Sequence, residues 1–323
     1  MTTTKKKILI TGAAGFIGFS LANYFLKKNY NVYGIDNFDQ YYSVKLKKIR
    51  LQRLKKFSKF KFIKLDLNDN KNLKLFLKKK KFNYVYHMAA QAGVRHSLEN
   101  PLKYINTNVL AFFNLLNLLK KKVIDHIYYA SSSSVYGDSN NFPIKENEFL
   151  NPKNIYGLSK KLNEKIAEFF NRVYDYNITG LRFFTVYGEW GRPDMFIMKL
   201  LKANENKLFF NLNNKGNHFR DFTYINDVLK IIDKLTKINQ KGHNIYNICS
   251  NSPINLKYLI AFKNLFKNLK LVYRPKINIE VLKTHGDNAL IKKTTNYKKF
   301  TPINIGFLNT FNWYKKNNIN KIS

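Results

Sequence analysis

The sequence predicts an α/β protein with a doubly wound parallel sheet and a smaller, interleaved C-terminal lobe. Three observations carry that reading. Short β-branched or apolar runs alternate with longer helix-period segments through the first half of the 323 residues. A glycine triplet falls where the first run meets the first helix. After about Gly188 the alternation weakens, and Pro193, Gly216, Pro253, Pro275 and Pro302 punctuate shorter elements. Strand and helix in alternation imply βαβ units, hence a parallel sheet covered on both faces.

In chain order, the strand candidates are Lys7 to Thr11, Asn31 to Asp36, Phe60 to Lys64, Tyr84 to His87, His126 to Ser131 and Asn177 to Phe183. The helical patterns between them are Phe16 to Lys28, Leu73 to Lys80, Leu102 to Lys120 and Tyr156 to Tyr174. Residues 1–187 form the sheet domain in this reading. Residues 188–323 form mainly the second lobe, with some strands and helices returning to the first.

Composition narrows the class. Hydrophobic residues make up 45% and aromatic residues 15% of the chain, enough to build a core and to exclude a disordered one. The single cysteine, Cys249, has no partner for an internal disulfide, which fits a reducing cytoplasm. No apolar stretch approaches the ~18 residues of a membrane span, and the start lacks the apolar region of a signal peptide. The six histidines show no metal-ligand spacing, so no metal site is expected.

A formal charge of +37 taken alone suggests nucleic acid. Yet only eight of the 57 basic residues are arginine, and the lysines are spread along the chain rather than clustered. The chain is also heavy in Asn, Ile, Phe and Tyr, whose codons are rich in A and T. Biased base composition therefore accounts for the lysines, and the remaining functional role of the charge is attraction of polyanionic small molecules. A basic protein that only senses a dinucleotide or touches nucleic acid is the non-enzymatic alternative. It has no need for the side chains described next.

Thr11-Gly12-Ala13-Ala14-Gly15-Phe16-Ile17-Gly18 follows the first strand and opens the first helix, where a dinucleotide fingerprint of the Rossmann type belongs. Gly12 permits a tight turn, Gly15 lets the backbone approach a pyrophosphate, and Gly18 allows close packing of helix on strand. The helix N-terminus then offers free N–H groups and a partial positive charge. Asp36 ends the second strand, where a carboxylate accepts hydrogen bonds from ribose hydroxyls and repels a 2′-phosphate. This favours NAD over NADP.

Tyr156-Gly157-Leu158-Ser159-Lys160 sets a phenol and an ammonium four residues apart on one helical face. Tyrosine has a pKa near ~10, so it needs a neighbouring cation to act as a base at neutral pH. Upstream, Ala130-Ser131-Ser132-Ser133-Ser134-Val135-Tyr136-Gly137 follows the fifth strand. A hydroxyl at the carboxyl end of a parallel strand can hold the reacting oxygen and share its proton with Tyr156.

Together these strings resemble the extended short-chain dehydrogenase/reductases, of the NAD-dependent epimerase/dehydratase type. The longer strings resemble the UDP-glucuronate 4-epimerases: Ala89-Ala90-Gln91-Ala92-Gly93-Val94-Arg95, Ser97-Leu98-Glu99-Asn100-Pro101, Leu181-Arg182-Phe183-Phe184-Thr185-Val186-Tyr187-Gly188, Trp190-Gly191-Arg192-Pro193-Asp194-Met195 and Arg220-Asp221-Phe222-Thr223-Tyr224-Ile225. The similarity runs from about Ile8 to Tyr314.

The resemblance implies Tyr156 as base and acid, Lys160 as its partner and Ser132 as the hydroxyl nearest the C4 oxygen. It implies an NAD site of Gly12, Gly15, Phe16, Ile17, Gly18, Asp36, Asn37, Asp66, Leu67, Ala89, Ala90, Gln91, Thr107, Ser131, Tyr156 and Lys160. Asp66 and Leu67 flank the adenine, and Ala89 to Gln91 line the phosphates and ribose. It implies substrate contacts from Arg95, Ser132, Ser133, Thr185, Arg192 and Arg220, with Arg192 on a sugar carboxylate and Arg220 on the diphosphate. A homodimer and a tightly held NAD, regenerated each cycle, follow as well.

The implied reaction is 4-epimerisation of a nucleotide sugar through a transient 4-keto sugar, with UDP-glucuronate as substrate. UDP-glucose and UDP-N-acetylglucosamine are alternative substrates, and dehydration or decarboxylation the alternative reactions. Dehydratases resemble one another in an Asp-Glu pair after the catalytic Ser or Thr, and decarboxylases keep a Glu there. Here Ser133 and Ser134 occupy those places. The chain departs from the family pattern at Glu189, expected to bring a negative charge close to Arg192, at His96, and at His285-Gly286-Asp287-Asn288 near the uridine diphosphate.

Overall fold

A computed structural model describes residues 6–78, 80–120, 122–262, 265–276, 281–317 and 319. Its strands are β1 (Lys7–Thr11), β2 (Asn31–Asp36), β3 (Phe60–Lys64), β4 (Tyr84–His87), β5 (His126–Ser132), β6 (Ile178–Phe183), β7 (Thr185–Tyr187), β8 (Phe209–Asn213), β9 (Phe219–Tyr224), β10 (His243–Ile248), β11 (Pro253–Asn255) and β12 (Lys270–Arg274). The helices are α1 (Phe16–Lys27), α2 (Val44–Lys55), α3 (Asn70–Lys78), α4 (His96–Glu99), α5 (Pro101–Tyr104), α6 (Ala111–Leu119), α7 (Ile155–Tyr174), α8 (Phe196–Glu205), α9 (Ile225–Thr236), α10 (Leu256–Ile260), α11 (Ala289–Thr295) and α12 (Ile303–Lys316).

Seven strands form one sheet in the order β10-β6-β5-β4-β1-β2-β3, every neighbouring pair parallel. β4 and β6 are buried along their whole length, as the continuous apolar runs of a doubly covered sheet require. The chain winds outward from β1 through β2 to β3, then returns to β4 and winds the other way. The crevice beyond the carboxyl ends of β1 and β4 is thus the switch point where such sheets bind ligands.

β10 comes from beyond residue 188 and pairs with β6, so the C-terminal part does return to the large sheet. A second sheet, β11-β9-β7, and the pair β12-β8 form the smaller region. β7 stands at the join: it follows β6 after one residue and pairs with β9.

The strand candidates coincide with β1 to β6 within one residue. The pattern from Leu102 to Lys120 is not one helix. α5 passes through a π-helical turn, Ile105–Leu110, before α6. Within that turn the Asn163 amide of α7 donates to the backbone carbonyl of Asn108 at 2.7 Å.

α2 carries no clear sequence signal, because two of its five buried residues, Lys47 and Arg50, are cations. Its start is capped by Ser43, whose hydroxyl accepts from the Leu46 N–H at 3.3 Å. No described helix is long and apolar enough to cross a membrane.

Candidate active site

The turn after β1 is shaped by backbone contact. Gly12 has φ of 68°, and a Cβ there would meet the Ala89 nitrogen at 2.7 Å, so only glycine lets the first turn lie against the end of β4. Gly15 caps α1 without a side-chain acceptor, and the first turn holds no acid. The leading N–H groups of α1 are left for an anion.

Asp36 is 7% exposed, and both its oxygens already accept backbone N–H groups: Oδ2 from Ala14 at 3.0 Å and Oδ1 from Phe38 at 2.8 Å. The carboxylate therefore shapes the turn as well as facing the cleft, where each oxygen keeps a second lone pair. Asp66 is fixed in a similar way, by Asn37 Nδ2 at 2.8 Å and the Asn68 N–H at 2.9 Å.

A cleft of about 480 Å³ runs along the crevice. Its wall includes Gly12, Gly15, Phe16, Ile17, Gly18, Asp36, Asn37, Asp66, Leu67, Ala89, Ala90, Gln91, Thr107, Ser131, Tyr156 and Lys160, and beyond them Ser132, Ser133, Thr185, Arg192 and Arg220. Arg95 is the exception. It is exposed and absent from the wall, at the start of α4. The expected substrate contact at Arg95 is not supported.

Tyr156 and Lys160 lie in the first turns of α7, whose N-terminus is capped by Asn154 Oδ1 accepting from Gly157 at 2.9 Å. Gly157 is needed there, since a Cβ would meet the Ser134 carbonyl oxygen at 2.4 Å. This close approach sets Tyr156 beside the serines ending β5, and its hydroxyl is hydrogen-bonded to Ser132. Ser132 Oγ also accepts from the Ser134 N–H at 3.1 Å.

Burial raises the Tyr156 pKa, and the Ser132 hydrogen bond and the Arg192 charge pull it back. Lys160 is 1% exposed, and burial lowers its pKa to about 7. In the protein alone it is Ser132 and Arg192, rather than Lys160, that oppose the burial, and the phenol stays above its ordinary value. Lys160 Nζ has no hydrogen-bond partner among the described residues. A buried ammonium without a partner on the wall of a cleft is poised for a ligand hydroxyl.

Behind the wall, Arg182 binds Glu164 through two bonds of 2.8 Å, and Glu164 Oε1 accepts from Ser131 Oγ at 2.5 Å. Arg182 is thus a core residue, and the Ser131 hydroxyl faces Glu164 rather than the cleft. Arg192 pairs with Asp194, while Glu189 accepts from the Tyr224 hydroxyl at 2.6 Å. The expected approach of Glu189 to Arg192 does not occur. Thr284 and Lys283 line the cleft, whereas His285 turns back to Asn251 at 2.6 Å.

Sequence reasoning missed two contributors. Asn108, buried in the π turn, accepts from the Gln91 N–H at 2.7 Å and donates to the Gln91 carbonyl at 3.0 Å and Ser159 Oγ at 2.9 Å. It fixes β4's exit to α7, a role with no local motif. Tyr41 lines the cleft and donates to Asp194 at 3.1 Å. Its signal was an aromatic pair in a loop, Tyr41-Tyr42.

The glycine turn, the uncapped start of α1, Asp36 and the unpartnered Lys160 fit a dinucleotide. Comparison with known proteins agrees. The chain is 37% identical to Protein CapI of Staphylococcus aureus over 95% of its own length and 98% of that protein's. It is 35% identical to UDP-glucuronate 4-epimerase 4 of Arabidopsis thaliana over 95% of itself and 75% of that protein. The crystal structure of UDP-glucuronic acid 4-epimerase from Bacillus cereus, in complex with UDP-glucuronic acid and NAD, superposes with a TM-score of 0.90 at 28% identity, covering 96% of this chain and 99% of that one. The model of the NAD-dependent epimerase/dehydratase family matches residues 8–249, and the chain belongs to that family.

Proposed function

We propose that this NAD-dependent nucleotide-sugar 4-epimerase interconverts UDP-glucuronate and UDP-galacturonate. The observation that carries the substrate is Arg192. Asp194 takes its Nε and one Nη2 hydrogen. Three of its five N–H groups are then left, on a residue that lines the cleft and acts electrostatically on Tyr156. A sugar carboxylate beside C4 is the anion this guanidinium suits, through two parallel bonds. Arg220 is proposed for the diphosphate, with its guanidinium steadied by the carbonyls of Phe219 at 2.9 Å and Leu282 at 3.1 Å.

NAD, when bound, supplies the hydride acceptor at C4 and the source from which hydride returns, so no external oxidant is consumed. Gly12, Gly15 and the N-terminus of α1 would hold its pyrophosphate, Asp36 its adenosine ribose and Lys160 its nicotinamide ribose. Ser132 orients the C4 hydroxyl, and Tyr156 takes its proton. After the 4-keto sugar turns in the cleft, Tyr156 returns that proton to the C4 oxygen. The carboxylates on the wall, Asp36, Asp39 and Asp66, all belong to the β2–β3 side, and Ser133 and Ser134 stand beside the reacting groups. Nothing at that position suits the acid and base of a C5–C6 elimination, which supports epimerisation.

The test is to incubate the protein with UDP-glucuronate and with UDP-glucose, without added reductant, and to follow the C4 configuration by NMR. UDP-galacturonate is expected. Its absence rejects the substrate, and a decarboxylated or 4-keto-6-deoxy product rejects the reaction.

Residues 1–187 would then hold the cofactor, while 188–323 supply Arg192, Arg220, Lys283 and Thr284 to the substrate wall. A homodimer is proposed on the same footing. Leu102, Leu110 and Phe113 on the α5–α6 segment and Phe169 and Val173 on α7 are exposed apolar side chains on adjoining helices. Sedimentation equilibrium giving one chain per particle overturns it.

A further inference from the structure

Arg50 lies on α2, behind the glycine turn and outside the cleft wall. Its relative exposure is 0%, yet among the described residues no carboxylate pairs with it. Neutral oxygens surround it instead. Nη1 donates to the Ala14 carbonyl at 2.9 Å and to the Tyr42 hydroxyl at 2.8 Å. Nη2 donates to the carbonyls of Trp190 at 2.6 Å and Gly191 at 3.3 Å, and Nε has no partner. A buried guanidinium without a counter-charge is costly to retain. What it joins explains why it is there.

One end of the bracket is the cofactor turn. Ala14 sits between Gly12 and Gly15, and its N–H donates to Asp36. The other end is the pair of residues immediately before Arg192. That segment leaves β7 through Gly188 with φ of 138° and Trp190 with φ of 62°, the second a conformation that bulky residues rarely adopt. The Trp190 ring is packed against Phe19 at 5.3 Å and Trp313 at 5.0 Å, and its carbonyl accepts from Arg50 at 2.6 Å.

We propose that Arg50 is a positioning residue that ties the segment carrying Arg192 to the glycine turn, so that aim of the substrate guanidinium depends on the cofactor site. Its planar, branched donors reach two separate stretches of backbone at once, which one ammonium does not. The proposal rests on the reading of Arg192 as the substrate carboxylate's partner.

A double-mutant cycle tests it. Wild type, Arg50→Lys, Arg192→Lys and the double variant are compared as NAD-loaded enzyme, for KM, kcat and melting temperature, with UDP-glucuronate and UDP-glucose. Arg50→Lys is expected to raise KM for UDP-glucuronate about tenfold with kcat within about threefold, the signature of a lost binding contact. In the Arg192→Lys background the same change should add less than about twofold, since no fork remains to be aimed. Equal effects in both backgrounds, or a fall in melting temperature alone, overturn the proposal. A silent Arg192→Lys overturns it too, by removing what Arg50 aims. Should Arg50→Lys not fold, Arg50→Gln enters the same cycle, and failure of both assigns Arg50 to the core and rejects the proposal. A wild type that turns over UDP-glucose and not UDP-glucuronate rejects the substrate reading and the proposal with it, whereas equal effects in the two backgrounds on an active UDP-glucuronate enzyme reject the proposal alone.

Discussion

Asp194 holds Arg192 by two parallel hydrogen bonds, Nε to Oδ1 at 3.0 Å and Nη2 to Oδ2 at 2.8 Å. The carboxylate does not use up the guanidinium; it fixes the plane in which the other donors point. Burial acts to raise the Asp194 pKa, but Arg192 and the Tyr41 hydroxyl outweigh it and keep the group ionised. Asp194→Asn keeps the shape and weakens the hold. KM for UDP-glucuronate should rise by about five- to tenfold, with UDP-glucose much less affected, as for a charge-assisted pair made neutral. Steady-state kinetics on both sugars checks this, and equal losses on the two reject the orienting role.

The Arg192 charge also acts on Tyr156, lowering a phenol pKa that burial has raised. Removing the charge in Arg192→Gln lets that pKa rise, so a base that must be deprotonated is populated only at higher pH. The acid limb of kcat/KM should therefore move to higher pH in Arg192→Gln and stay in place in Arg192→Lys, which keeps the charge. A pH–rate profile that moves alike in both variants attributes the shift to something other than charge.

Tyr156→Phe deletes the hydroxyl bonded to Ser132 while leaving the ring packed edge-on to Tyr104, at 6.2 Å between centroids. Turnover should fall by about 10²–10⁴, the usual worth of a positioned acid–base group. NAD should still co-purify with the variant. Retained turnover removes Tyr156 from proton transfer, and loss of NAD shows that the ring supports the cofactor site instead.

The large sheet was legible because a doubly covered parallel sheet writes itself as apolar runs, and β1, β4, β5 and β6 are buried almost throughout, whereas β3 at the sheet edge buries only Phe60. The cofactor side was legible for a related reason: a turn that must approach β4 needs glycine at position 12, and a turn that needs an acceptor keeps Asp36. α2 was hidden because part of its burial falls on Lys47 and Arg50, whose charges are met by the nearby Asp39 carbonyl and Tyr42 phenol and by the distant Ala14 and Trp190 carbonyls. Asn108 was hidden likewise, since its partners lie 17 and 51 residues away. Arg95 shows the limit of a motif, which records residue type but not direction: the side chain is exposed and lies outside the cleft wall.

Asp36 illustrates how one residue serves turn and ligand together. Asp36→Ala, the obvious change for admitting NADP, strips acceptors from the Ala14 and Phe38 N–H groups. Each buried donor left without a partner costs about 1–3 kcal/mol. Asp36→Ala should therefore lower the melting temperature and weaken NAD without yielding good NADP use, while Asp36→Asn keeps one of the two acceptors and sets its amide NH2 against the other N–H, so it recovers only part of the stability. Differential scanning calorimetry with cofactor titrations decides it, and an Asp36→Ala enzyme of native stability that works with NADP shows the backbone bonds to be dispensable.

Lys160 carries a signature in stability as well as in catalysis. Burial lowers its pKa from the ordinary 10.5 to about 7, so between those values the unfolded chain binds more protons than the folded one. Stability then rises with pH through that window, and the full cost of burying the ammonium is borne below about pH 7. Lys160→Met removes the titrating group and fills similar volume. In NAD-free protein it should be more stable than wild type by on the order of 4–5 kcal/mol at pH 7, since the shift from 10.5 to about 7 spans about three and a half units at about 1.4 kcal/mol each. The advantage should shrink steadily as pH climbs from about 7 toward 10.5, because the unfolded chain then approaches the neutral amine that the folded wild type already holds. Urea unfolding at several pH values measures the difference. A gap independent of pH means that Lys160 stays charged in the folded protein by finding a partner, and that the ammonium, not burial, sets the environment of Tyr156.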